Sequence, residues 1–150
     1  MTNPAIEPSN YTVAPADLNA VTALNLEGHI GLKFTETTAE RVRATVAVGP
    51  QLRQAGGIVH GGVYCSIVES VASWGGTLLL DGEGHAVGVN NNTDFLRSVR
   101  DGVLVADAAP VFRGRSQQVW RVVITDARGH ECAIGHVRLQ NVLNRKASHV

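Results

Sequence analysis

From Gly61 to Leu80 the chain reads GGVYCSIVESVASWGGTLLL, and Glu69 is the one formally charged side chain in that run. The length of the run and its lack of strict two-residue alternation predict a helix; valine and isoleucine are too plentiful for propensity to carry the assignment. A helix apolar on nearly all sides has to be enclosed by other layers of the fold. Burying an unpaired carboxylate costs several kcal/mol or raises its pKa, so a segment serving only as core would carry leucine at 69. Positions three and four apart share a helix face, which aligns Glu69 with Cys65, Ser66, Ser73 and Gly76 in a narrow stripe of small and polar residues. Either neighbouring hydroxyls satisfy this carboxylate inside a core, or it belongs to a site.

The rest of the chain limits what such a site can be. With 150 residues the protein is one domain by size, able to bury roughly 70% of its unfolded surface. Lysine plus arginine and aspartate plus glutamate both number 13, so no broad basic field exists to attract nucleic acid or an anionic membrane. Cys65 and Cys132 lack metal-type spacing, and the six histidines form no HxxxH or HxxE pair, so neither a metal nor a cofactor is expected. The opening MTNPAIEPSN has no basic or apolar leader region, and Gly75–Leu80 is far too short to span a bilayer. A reduced cytoplasmic protein is the simplest expectation.

Around the long helix the pattern is mostly β. Residues 1–16 read as a flexible arm, 17–143 as a single domain and 144–150 as a frayed tail. Asp17 is placed to cap a short helix running to Leu26, broken between Gly28 and Gly31. Residues 30–48 turn β-like, with Val42, Ala44, Val46 and Val48 alternating against Arg41, Arg43, Thr45 and Ala47. Four β segments are predicted at 86–97, 102–112, 116–126 and 131–142. Short turns at Arg100-Asp101-Gly102, Arg113-Gly114-Arg115 and Asp126-Ala127-Arg128-Gly129 suit antiparallel neighbours. The expected fold class is α+β, an antiparallel sheet wrapped around one central helix.

His60-Gly61-Gly62 opens that helix. The first amides of a helix lack intrahelical partners and attract developing negative charge, and glycine leaves the backbone open to a ligand. The Gly61 N–H is therefore a candidate oxyanion donor, and His60 is assigned to shaping the turn. Gln54 could donate an amide to the same carbonyl, or simply be a solvated loop residue. Gly61 and Glu69 stand eight residues apart, about 12 Å along a helix axis. One carbonyl carbon can hardly meet both from the same helix, so if both serve one reaction the sites are shared between antiparallel helices of a homodimer. Arg97, Arg100, Arg113 and Arg115 lie near strand ends or turns, where with Ser116 they could meet phosphates or merely solubilise the turns.

Several of these segments together resemble a known family. LRQ, GGIVHGGVYCSIVES, AVGVNNNTDFLRSV, the GRS turn and TDARGHECA resemble the hotdog-fold acyl-CoA thioesterases, over about residues 30–142. The resemblance is strongest to the 4-hydroxybenzoyl-CoA thioesterase branch with its catalytic glutamate on the central helix. It implies Glu69 as nucleophile or general base, the Gly61 N–H as the donor polarising the thioester carbonyl, and Gln54 as an assistant at that carbonyl. Ser73 falls where that branch has threonine and keeps the hydroxyl that would position water. Arg97, Arg115 and Ser116 fall in the region contacting the nucleotide end of coenzyme A, which is part of the substrate, and Arg145 or Lys146 of the tail could reach the same phosphates. The resemblance also implies an acyl-CoA or aryl-CoA substrate and a homotetramer built from two dimers.

Two other readings stay open at this point. A hotdog dehydratase would need a second ionisable partner, commonly His with Asp, and the helix offers none. A non-catalytic acyl-CoA-binding protein would keep Gly61 and the arginines but not need Glu69. Trp74, Ala55, Tyr64 and the segment NNNTDF are candidates to line the acyl pocket, and the acyl group itself stays undetermined.

Overall fold

A computed structural model describes residues 12–144. Six antiparallel strands form one sheet in the order β1-β2-β4-β5-β6-β3: β1 Leu32–Thr37, β2 Val42–Ala47, β3 Gly84–Phe95, β4 Val103–Arg113, β5 Gln117–Thr125 and β6 Glu131–Leu143. The long helix α3, Gly61–Leu79, packs across one face of this sheet. That is the α+β arrangement the alternating strands and the apolar run predict. Two short helices, α1 (Pro15–Thr22) and α2 (Leu26–Ile30), pack at the β1 edge. Among the described residues no helix is long and apolar enough to cross a membrane.

Alternation along each strand decides which side chains meet α3. Leu104, Ala106 and Ala108 of β4, Trp120, Val122 and Ile124 of β5, and Val137 and Leu139 of β6 are buried, as are Ile67, Val68, Val71 and Ala72 of α3. Gly75 permits the closest approach: a Cβ there would stand 2.4 Å from the buried Trp120 ring. At the helix C-terminus, the Gly76 carbonyl accepts from Gln118 Nε2 at 3.0 Å, satisfying a group that helix geometry leaves bare. The fully buried Gln118 also donates to Asn141 and accepts from Trp120, so its amide is satisfied in place.

Several boundaries differ from expectation, each for a local reason. Asp17 does not cap α1; Ala14 does, because Pro15 supplies a pre-set φ at the first helical position, and Asp17 sits in the first turn. The helix ends at Thr22, and α2 follows as a separate turn closed by Gly31 in the left-handed region at φ 73°. The β-like stretch 30–48 divides into β1 and β2, joined by a turn in which the Thr38 hydroxyl accepts the Arg41 N–H. Arg100-Asp101-Gly102 is not a hairpin turn: β3 pairs with β6 at the sheet edge, while β4 pairs with β2 and β5. Asn19 explains how α1 stays at β1. Its side chain donates to the Phe34 carbonyl at 3.0 Å and accepts the Phe34 N–H at 2.8 Å, taking the place of a missing neighbour strand.

The enclosure predicted for α3 is incomplete. The sheet covers one side, but the stripe of Gly62, Ser66, Glu69 and Ser73 stays open, with Glu69 and Gly62 exposed and both serines half-buried. Small polar residues give no apolar area for another layer of the chain to cover. Glu69 is therefore not a buried core carboxylate within a single chain.

Candidate active site

Glu69 stands in the middle of this open stripe, at the mouth of a cavity of about 490 Å³. Ser73 lies one turn further along the same wall, with Cys65 and Ser66 a turn before it, and Trp74 forms an apolar side. The Trp74 ring is held edge-on by Phe34, centroids 6.5 Å apart at 77°. Gly88 of the edge strand β3 lies directly beneath the carboxylate: a Cβ at 88 would stand 2.8 Å from Glu69 Oε1. The register of β3 against β6 shifts between Gly88 and Asn90, so a bulge opens the strand beside the glutamate.

The start of α3 builds a different place. His60 is the N-cap, and its Nδ1 accepts the Gly62 N–H at 2.9 Å, which leaves the ring proton on Nε2. The Val63 N–H is taken by the His60 carbonyl at 2.9 Å. Among the described residues no acceptor pairs with the Gly61 N–H, so it is the amide of this first turn left for a ligand. It faces a second cavity of about 230 Å³, also lined by Gln54, Tyr64, Phe95 and Arg97. The Tyr64 and Phe95 rings lie tilted at 34° with centroids 5.9 Å apart, and burial pushes the Tyr64 phenol up to about 12, so this wall is aromatic and neutral.

The two cavities share no lining residue. One chain thus offers a carboxylate in one place and an unpaired amide in another, as the eight-residue spacing predicts. Gln54 accompanies Gly61 and Ser73 accompanies Glu69. Arg97 joins the Gly61 side, while Arg115 and Ser116 lie exposed on the β4–β5 turn. Arg113 pairs instead with Glu40, and Arg100 donates to the Gly56 carbonyl at 3.4 Å, so both are engaged within the chain. Arg145 and Lys146 lie outside the described residues. Of the residues expected to line an acyl pocket, Trp74 lies on the Glu69 side and Tyr64 and Phe95 on the Gly61 side; Ala55 lines neither.

Sequence reasoning missed Glu27 of α2, which reaches the Glu69 cavity, where its Oε1 accepts from the buried Ser70 hydroxyl at 3.1 Å. His85 and Thr77 line the same cavity and were likewise missed. Nothing local in LEGHI signals that contact, which spans more than forty residues of chain.

Comparison with known proteins bears on the chemistry. The family model described as the thioesterase superfamily matches residues 56–133, which include Gly61, Glu69 and Ser73. The chain belongs to the thioesterase superfamily. A candidate esterase of Mycobacterium tuberculosis is 46% identical over 132 residues, covering 86% of this chain and 93% of that one. The 1,4-dihydroxy-2-naphthoyl-CoA hydrolase of Escherichia coli is 32% identical over 115 residues, covering 77% and 85%. A solved thioesterase structure from Haemophilus influenzae superposes with a TM-score of 0.86 at 28% identity, over 92% of this chain and 96% of that one. This member of the thioesterase superfamily has the hotdog architecture and is a thioester hydrolase. Of the three readings the sequence left open, that is the one its relatives share.

Proposed function

We propose that the protein hydrolyses an aryl-CoA thioester, of the hydroxybenzoyl-CoA kind, at two composite sites in a cytoplasmic homodimer. The observation that supports the composite sites is that Gly61 and Glu69 line separate cavities on one chain. In the dimer the Gly61 N–H of one subunit meets the thioester oxygen, and Gln54 of that subunit assists. Glu69 of the other subunit approaches the carbonyl carbon. If its carboxylate attacks, the C–S bond breaks, coenzyme A leaves as the thiolate, and water hydrolyses the mixed anhydride. If it acts as base, it takes a proton from water held at Ser73, and hydroxide attacks directly. Oxygen-18 appearing in Glu69 after a single turnover in labelled water selects the first route.

Two unpaired cysteines, Cys65 and Cys132, suit a reducing compartment. Arg97, Arg115 and Ser116 are proposed to hold the nucleotide end of coenzyme A. The sheet face turned away from α3, where Val111 is 62% exposed, offers a surface on which two dimers would form the tetramer implied by the family resemblance.

Mixed dimers test the composite site. Glu69→Gln alone should abolish turnover without unfolding the chain, and Gln54→Ala alone should lower it. After co-refolding equal amounts of the two variants, half the dimers are mixed and each has one intact site, adding about a quarter of wild-type activity to what the Gln54→Ala dimers retain. Activity no higher than that of the same two proteins mixed without refolding would mean that each site is built within one chain.

A further inference from the structure

Within that proposed reaction, the charges around the two cavities set the direction of the substrate. The Gly61 cavity carries Arg97, whereas the Glu69 cavity carries a second carboxylate, Glu27. Phosphates of coenzyme A are attracted to the first and repelled by the second, so the acyl group is the part that lies along Glu69, Trp74 and Glu27. Trp74 and Leu26 give this space apolar walls suited to a ring.

Glu27 is held in place there. Asn19 clips α1 to β1, α2 follows within four residues, and the Ser70 hydroxyl, itself 9% exposed, donates to Glu27 Oε1. Among the described residues no other hydrogen bond reaches this carboxylate, so Oε2 keeps its accepting capacity toward the cavity. A fixed carboxylate beside an apolar wall accepts from a hydroxyl or amino group and opposes another anion.

We infer that Glu27 is a specificity-determining residue that selects acyl groups bearing a hydroxyl or amino donor and rejects those bearing a carboxylate. A site built to hydrogen-bond a substrate hydroxyl discriminates strongly against the analogue without it, because the acceptor is then left unpaired. Glu27→Leu removes the acceptor. Glu27→Gln keeps an acceptor and nearly the same volume but removes the charge.

The test measures kcat/KM with benzoyl-CoA, a ring-hydroxylated benzoyl-CoA and succinyl-CoA, for wild type and both variants. Wild type should prefer the hydroxylated ring by about tenfold or more, and Glu27→Leu should erase that preference, the ratio of the two rings' kcat/KM falling to about one. Glu27→Gln should raise turnover of succinyl-CoA by about fivefold or more. The inference is overturned if wild type does not distinguish the two rings, or if Glu27→Leu lowers both ring substrates in the same ratio. Should Glu27→Leu fail to fold, Glu27→Gln decides: unchanged succinyl-CoA turnover also overturns it. A wild-type protein that releases no thiol from any aryl-CoA overturns the aryl-CoA reading instead, a result distinct from either.

Discussion

Glu69 acquires its meaning from what lies beneath it. Its charge and its stripe of small neighbours are legible along the chain, and so is the turn shaped by His60. Its exposure is not legible, because a helix sequence does not say which of its faces the remaining layers leave bare. Gly88 shows the same limit: inside AVGVNNNTDF it reads only as an irregularity, and the fold places it within 2.8 Å of the carboxylate once a Cβ is added. Gly88→Ala should therefore move the far end of a flexible side chain and not the backbone. With Glu69 as the proposed catalytic carboxylate, we expect kcat to fall by about 10–100-fold on displacement by an ångström, while the thermal midpoint barely changes. Steady-state kinetics paired with thermal unfolding checks this; a lost fold with kcat per folded molecule unchanged would make Gly88 a packing residue only.

Among the elements, the turns were the most legible and the strand order the least. Asp126-Ala127-Arg128-Gly129 joins β5 to β6 as its composition predicts, and Asp126 organises it: Oδ1 accepts from the Arg128 and His130 amides at 2.9 Å, and Oδ2 meets His130 Nδ1 at 3.0 Å. The His130 imidazole, then the His130 amide, hold this carboxyl below its ordinary 3.8, at about 2. A depressed carboxylate pKa stabilises the fold above the ordinary value, and that contribution disappears as pH falls from about 4 through about 2. Asp126→Asn should thus be less stable than wild type near neutrality, and the gap should close below pH 4. Urea unfolding at stepped pH measures it; a gap constant down to pH 2 would contradict the assignment. The glycine-bearing turn at Arg100-Asp101-Gly102 looked alike but joins strands that do not pair, because turn chemistry fixes a local reversal and not a partner.

For the whole molecule, the edge strand β3 is where the proposed dimer would form its seam. Glu69 lies against Gly88 of that strand, so in the proposed dimer the second subunit that brings its Gly61 to the carboxylate would sit beside β3. This edge carries exposed Val87 and Val89, with Val89 47% exposed, a surface that a monomer ordinarily protects. We expect β3 amides to exchange slowly with deuterated solvent where sedimentation shows a dimer, and protection and activity to fall together on dilution. Free exchange of β3 within an intact dimer would place the seam elsewhere. By itself the sequence determined the fold class, the long helix, most strand positions, and the distance between a lone carboxylate and the amide that opens its helix. Those follow from local periodicity, turn chemistry and helix rise, which act within a few residues. Only the tertiary structure decided that Glu69 is open, that β3 moves to the sheet edge beneath it, and that Glu27 enters the same cavity. Those depend on contacts between segments distant in sequence, where packing and unsatisfied backbone edges select the partner.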